Sequence, residues 1–305
     1  MEGHTSSEDK SGPGKLDLTP VYAVIRFSGS EALEFLQRQL SNDIMLLGPE
    51  IAQVNAYLTP KGRVIALLTM ILHEDGALAL VDRQMVALIS QALQRYVIRS
   101  DVQILAPDPH WQIHGCAGPA DRESDLQLDA LNLTRDGATL AIQWPGARQI
   151  ILSRSATEQS YSHESRPLSL QGWQQLDIEH LLARIGPAES EQFVPQMLSL
   201  DTLKVVNFKK GCYPGQEVVA RTHYRGRIKR SLVKYSSDTE LEPGTTLSVQ
   251  EGDTLKPVGR TLQGVTTANR SWLGLAVIHE SGVAAQQLVS EADPSIRVCI
   301  TPVRQ

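Results

Sequence analysis

Nine consecutive residues, Lys209-Lys210-Gly211-Cys212-Tyr213-Pro214-Gly215-Gln216-Glu217, gather a thiol, two ammonium groups, an aromatic ring, an amide and a carboxylate. Positive charge beside a thiol favours the thiolate, which suits Cys212 to be a nucleophile, a transient metal ligand or a redox-sensitive contact. Gly211 and Gly215 allow the backbone to turn sharply around it. A cysteine in a glycine loop can equally be a small structural residue, and Gln216 and Glu217 can equally cap a local turn. One cysteine cannot hold a stable iron–sulfur cluster, which usually needs four ligands. Cys116 and Cys299 lie far away in sequence, in strand-like surroundings that read as core. No disulfide framework, clustered metal-site spacing or tightly bound metal is expected.

The same stretch runs into Arg221, His223, Arg225, Arg227, Lys229 and Arg230. Between Lys209 and Lys234 there are eight Lys or Arg and one acid, Glu217, in a chain of formal charge -5. Such concentration reads as an anion-binding or partner-binding surface, carried by Lys210, Arg225, Arg227, Lys229 and Arg230. A solvated strand is the plainer alternative. Few aromatics and an acidic whole make direct nucleic-acid binding unexpected. His223, beside three arginines, reads as a surface or hydrogen-bonding residue.

These residues need elements to position them. At 305 residues, 41% apolar and 21% charged, the chain is large enough for two or three soluble globular domains. Residues 1–17 are expected as a flexible tail, and no run is long and apolar enough to span a bilayer, so a cytoplasmic setting is expected. A strand at 22–27 precedes a helix carrying Leu33, Leu36 and Leu40, with Ser28 or Ser30 as its expected cap. Strands at 51–58 and 63–72 flank a Thr59-Pro60-Lys61-Gly62 turn. A strand at 77–81, a helix at 83–98, further strands at 111–116, 139–144 and 149–153, and a helix at 170–184 follow. This alternation predicts an α+β fold. Beyond residue 229, short apolar segments split by glycine turns predict a small β-barrel. The expected domains are 18–108, with parts of 170–228 packing on it, then 109–228 and 229–305.

Lys210-Gly211-Cys212-Tyr213, Gly215-Gln216-Glu217, Val219-Ala220-Arg221 and Arg225-Gly226 resemble the signature of the YgfZ-type folate-binding family, relatives of the glycine-cleavage T-protein, an aminomethyltransferase. Residues 35–43 resemble that family's early helix and its exit, Pro60-Lys61-Gly62-Arg63 its hairpin turn, and Arg184-Ile185-Gly186 with Phe193-Val194-Pro195-Gln196 the segment before the cysteine. The likeness covers about residues 22–300 in order. It departs at Arg38, where the family more often has glycine.

The resemblance implies a three-domain aminomethyltransferase-like fold, with a C-terminal β-barrel, around a central folate-binding opening. It implies tetrahydrofolate or another reduced folate as ligand, and Cys212 as the functional thiol. It further implies an accessory role in making or maintaining iron–sulfur proteins, including tRNA-modifying enzymes. Partners would then be iron–sulfur enzymes or assembly proteins, with tRNA linked indirectly. A pterin edge can be read by a carboxylate and an amide. Glu217 and Gln216 are therefore expected at the pterin with Tyr213 stacking, while Lys61, Arg63 or Arg221 meets the anionic tail. Asp43 is a candidate general base, or else a cap. A folate-dependent one-carbon transferase and a non-catalytic structural adaptor are the alternatives to the accessory role.

Overall fold

The computed structural model describes residues 15–117, 127–154, 167–285 and 287–301. A ten-stranded antiparallel sheet organises the first half of the chain. Its strands are β1 (Leu16–Asp17), β2 (Tyr22–Ser28), β3 (Ile51–Leu58), β4 (Val64–His73), β5 (Gly76–Asp82), β6 (Gln103–Leu105), β7 (Gln112–Ala117), β8 (Leu131–Asp136), β9 (Thr139–Trp144) and β10 (Arg148–Ser153). They run in the order β1-β7-β10-β9-β8-β3-β4-β5-β2-β6. The Ile51↔Asn132 and Ala52↔Leu131 pairs of β3 with β8 join the two halves into one sheet. Leu16 and Asp17, within the stretch expected as tail, pair with Gly115 and His114 at its edge; residues 1–14 lie outside the described residues.

Helix α1 (Ala32–Gln39) covers one face of the sheet. Its buried Ala32, Phe35 and Leu36 share a core with Ile25, Phe27, Leu68 and Met70, and each large side chain contributes roughly 1.5–3 kcal/mol by leaving water. Neither expected serine caps α1. Glu31 stands at the cap without a side-chain capping bond: its carboxylate accepts from the Asp101 backbone N–H, and the Ser30 hydroxyl donates to the Asp101 side chain. Helix α2 (Val86–Gln94) is shorter than expected, being preceded by a 3-10 turn at Arg83–Met85. Helix α3 (Leu170–Glu179), capped by Ser169, likewise ends before residue 184. On the opposite face a second core collects Val54, Leu80, Ile150, Trp173, Leu198 and Leu200.

Where a solvated strand was one expectation for the basic stretch, the chain forms helix α4 (Gln216–Arg225). The C-terminal part closes into a six-stranded barrel, as the glycine-punctuated apolar segments imply. Its strands are β11 (Arg230–Ser237), β12 (Thr246–Glu251), β13 (Thr254–Thr266), β14 (Trp272–His279), β15 (Gln287–Ser290) and β16 (Arg297–Thr301), with a short helix α5 (Glu280–Ala285) before β15. Along β16, Val298 and Ile300 face inward while Arg297, Cys299 and Thr301 face out. That alternation corrects the expectation of a buried Cys299; Cys116 on β7 is buried.

Candidate functional site

Two chemically loaded regions emerge, and they do not share a wall. The first is the loop carrying Cys212. Asn207 begins it: its backbone N–H donates to the Ser41 carbonyl at 3.0 Å, and its side-chain oxygen accepts from the backbone N–H groups of Lys209 and Lys210 at 2.8 and 3.0 Å. The Lys210 side chain then turns inward. Its ammonium donates to the carbonyls of Gln37, Leu40 and Asn42, each at 2.7 Å. A helix leaves its last carbonyls without intrahelical partners, and a cation suits that end of the helix dipole. Burial pushes the Lys210 pKa down to about 8, against a smaller upward pull from Asp43.

This geometry removes Lys210 from the expected partner surface: it is 8% exposed, with its three donors used internally. Tyr213 is also buried, 5.4 Å from the Lys210 ammonium, and therefore does not present an open stacking face. Burial raises its hydroxyl pKa to about 12. Cys212, between the two, is exposed. The loop ends at Gly215, whose φ of +80° starts α4. There the β3–β4 hairpin packs so closely that a Cβ on Gly215 would lie 2.5 Å from the Thr59 carbonyl oxygen.

The support beneath this loop is a buried polar network that the sequence did not single out. The Ser41 hydroxyl donates to the Val205 carbonyl and accepts from the Ala56 N–H. The Asn42 N–H donates to Asn55, and its amide group donates to the carbonyls of Val54 and Lys204. Its legible signal was the Ser41-Asn42-Asp43 triplet, polar residues placed where an amphipathic helix ends. Asp43 accepts from Gln37 and from the Met45 N–H, so its carboxylate caps the following 3-10 turn.

The second region is a narrow cleft of about 90 Å³, which opens to about 730 Å³ when the solvent at its mouth is included. The sheet supplies Val54, Leu67 and Leu80 to its walls, and the segment after α3 supplies Leu182, Ile185 and Leu200. Its polar groups are Tyr22, Thr69, Asp82, Trp144, Asp177 and Arg184. Asp177, 3% exposed, pairs at 2.9 Å with the fully buried Arg148. The Arg148 guanidinium also donates to the Pro145 and Trp173 carbonyls and lies 4.4 Å from the Trp173 ring centroid. Burial raises the Asp177 pKa, opposed first by Arg148. Arg184 bonds Asp82 at 2.5 Å and stands 6.0 Å from the Tyr22 ring centroid. Burial, then the Asp177 charge, push the Tyr22 hydroxyl pKa up. From the barrel, Gln263 accepts from the Arg184 N–H and donates to the Leu182 carbonyl, fixing this wall to β13.

None of Cys212, Asp43, Gln216, Glu217, Tyr213, Lys61, Arg63 and Arg221 is among the described residues lining the cleft. Glu217 and Arg221 are exposed on α4, and Gln216 is half-buried with its amide donating to the Lys210 carbonyl. Lys61 is exposed at the hairpin tip, and the Arg63 guanidinium donates to the Gln192 carbonyl. Arg38 is exposed. Cys212 and Glu217 both lie on the surface around the start of α4. Arg225, Arg227, Lys229 and Arg230 are exposed, with Arg227 paired to Glu280. His223 stacks on Phe208 at 3.9 Å between ring centroids. Among the described residues, no group of three or more His, Cys, Asp or Glu is placed to hold a metal ion, and no helix is long and apolar enough to cross a membrane.

The sheet, the barrel and the cleft beside them define an aminomethyltransferase-like α+β protein. The glycine cleavage system aminomethyltransferase T from Bartonella henselae superposes with a TM-score of 0.71, at 16% identity, over 95% of this chain and 85% of that one. In sequence, the chain is 28% identical over 296 residues to the tRNA-modifying protein YgfZ of Enterobacter sp. (strain 638), covering 92% of this chain and 90% of that protein. The chain is thus similar in sequence to a YgfZ protein and in fold to a glycine-cleavage aminomethyltransferase. No family model matches it.

Proposed function

We propose that this chain is a folate-binding accessory protein for iron–sulfur enzymes, including those that modify tRNA. The observation that carries the folate reading is the cleft, which combines apolar walls with a cluster formed by Tyr22, Asp177 and Arg184. A flat heterocycle with apolar faces and a polar edge fits that lining. Asp177 is the carboxylate available to accept from ring N–H and amino groups, in place of Glu217. Val54, Leu67 and Leu80 would face the ring, and Arg184 would supply positive charge. A reduced folate contributes one-carbon chemistry when bound. The residues on this chain bind and orient it, and exclude water from it. The accessory role draws on similarity to a protein whose name states that it modifies tRNA. Cys212 is the thiol exposed to a partner.

Anaerobic purification followed by ligand mass spectrometry, with a tetrahydrofolate titration, tests this reading. Leu67→Trp should fill the cleft and abolish binding while Glu217→Gln leaves affinity unchanged. Retained affinity in Leu67→Trp, or its loss in Glu217→Gln, refutes the assignment to the cleft. Stoichiometric binding without turnover of an aminomethyl or methyl donor is expected of the accessory role; catalytic turnover would establish the transferase instead.

A further inference from the structure

Helix α4 carries more than the thiol loop's end. Arg221, Tyr224 and Arg225 sit at positions i, i+3 and i+4 and are all exposed, so they share one helix face. Tyr224 is 67% exposed, an unusual setting for a large ring. It is braced from beneath: its ring meets His223 edge-on at 4.9 Å and Phe208 at 6.1 Å, and those two rings stack on each other. Braced in this way, the phenol ring is a shelf flanked by two guanidinium groups. The positive charge continues through Arg227, Lys229 and Arg230 to a polar pocket of about 440 Å³ that Arg230 lines together with Arg260 of β13. Arg227 is engaged by Glu280, and Glu291 lines the same pocket. Glu217, a full turn before Arg221, is the one acid on α4.

A patch for an acidic protein needs charge alone. An exposed, braced aromatic ring between arginines adds a stacking face, which is what unpaired bases use, while the guanidiniums meet phosphates. We propose that the outer face of α4 and the strand start that follows it form a docking surface for single-stranded RNA. A base would stack on Tyr224, and the backbone would run toward Arg230 and Arg260. Six residues separate Tyr224 from Arg230, a reach of at most about 20 Å, so the footprint is a few nucleotides. The surface stands on its own geometry. The choice of RNA over DNA rests on the proposed link to tRNA-modifying enzymes.

The test is fluorescence anisotropy of the full chain with a labelled 12-nucleotide oligouridine at 50 and 200 mM salt, with the DNA counterpart and a poly-glutamate peptide as comparison probes. Binding should weaken steeply with salt. Tyr224→Ala should weaken it about tenfold or more, Tyr224→Phe should retain it, and Arg221→Ala with Arg225→Ala should lower the log–log salt slope by about 1.4. Thermal melts of each variant separate binding loss from unfolding. Absence of RNA binding, or unchanged affinity in folded Tyr224→Ala, overturns the surface. Equal affinity for DNA overturns the choice of RNA. Poly-glutamate binding as tight as RNA assigns the patch to an acidic protein instead. Because folate binding is measured at a separate cleft, its failure and the failure of this surface are distinguishable.

Discussion

Replacing Lys210 by methionine tests whether the thiol loop is held by its buried ammonium. The substitution keeps the length and apolar stem of the side chain and deletes three hydrogen bonds, to the carbonyls of Gln37, Leu40 and Asn42. A buried acceptor deprived of its donor costs about 1–3 kcal/mol. Three at the middle of that range lose ~6 kcal/mol. Against this stands the relief of no longer burying a cation. Its pKa falls from 10.5 to about 8, and at about 1.36 kcal/mol per pKa unit this returns ~3 kcal/mol. The net expectation is destabilisation by about 3 kcal/mol, roughly a hundredfold in the folded-to-unfolded ratio. Urea unfolding at pH 7 measures it, and alkylation of Cys212 under native conditions reports whether the loop has loosened. A midpoint and m-value within error of wild type would refute the reasoning.

The same residue fixes a pH signature. The folded-state pKa of Lys210 is depressed, so between about pH 8 and 10.5 the unfolded chain binds more protons than the folded one. Stability rises with pH wherever that holds. Wild type should therefore gain stability relative to Lys210→Met as pH climbs through this window. A difference that stays flat, or shrinks, removes the buried cation from the account.

Other substitutions follow from the same geometry. Asp177→Asn leaves the fully buried Arg148 without its counter-charge and should cost about 3–5 kcal/mol in denaturant unfolding; a loss below ~1 kcal/mol would show that other groups compensate the arginine. Gly215→Ala places a Cβ 2.5 Å from the Thr59 oxygen at φ +80°. It should lower stability by roughly 1–3 kcal/mol and speed amide exchange in the β3–β4 turn, whereas unaltered exchange would separate the turn from α4. Iodoacetamide followed by mass mapping should modify Cys212 and Cys299 in the native protein and spare Cys116, which is buried and whose pKa burial raises; early labelling of Cys116 contradicts its place in β7.

The strands were legible because short, largely apolar segments end at turn residues: β3 and β9 fall on the spans expected from sequence. Helix α4 was not. Val219 is its single fully buried residue, and Gly215 starts it without a capping side chain, so neither apolar periodicity nor a start signal announces it. The role of Lys210 was hidden for a different reason. A lysine reads as surface until three carbonyls are seen converging on it, and those belong to residues roughly 170 positions earlier. The cleft escaped notice because its polar groups come from β2, β4, β5, β9, α3 and the segment beyond α3, and no local pattern joins them.

Asn42 shows how two regions without a shared wall can still depend on each other. Its amide holds the carbonyl of Val54, whose residue lines the cleft, and the carbonyl of Lys204, next to the lining residue Leu203. Its own carbonyl accepts from Lys210, two residues from Cys212. One buried residue, through its side chain and its backbone carbonyl, thus ties the floor under the thiol loop to the cleft wall. In a close-packed interior such links resist deformation and have few alternative arrangements. Proximity of thiol to ligand is therefore not needed for a single fold requirement to position both. It also accounts for the polar Ser41-Asn42 pair at a site that an apolar core would otherwise fill: each hydrogen bond they make fixes a segment that meets the cleft or the loop.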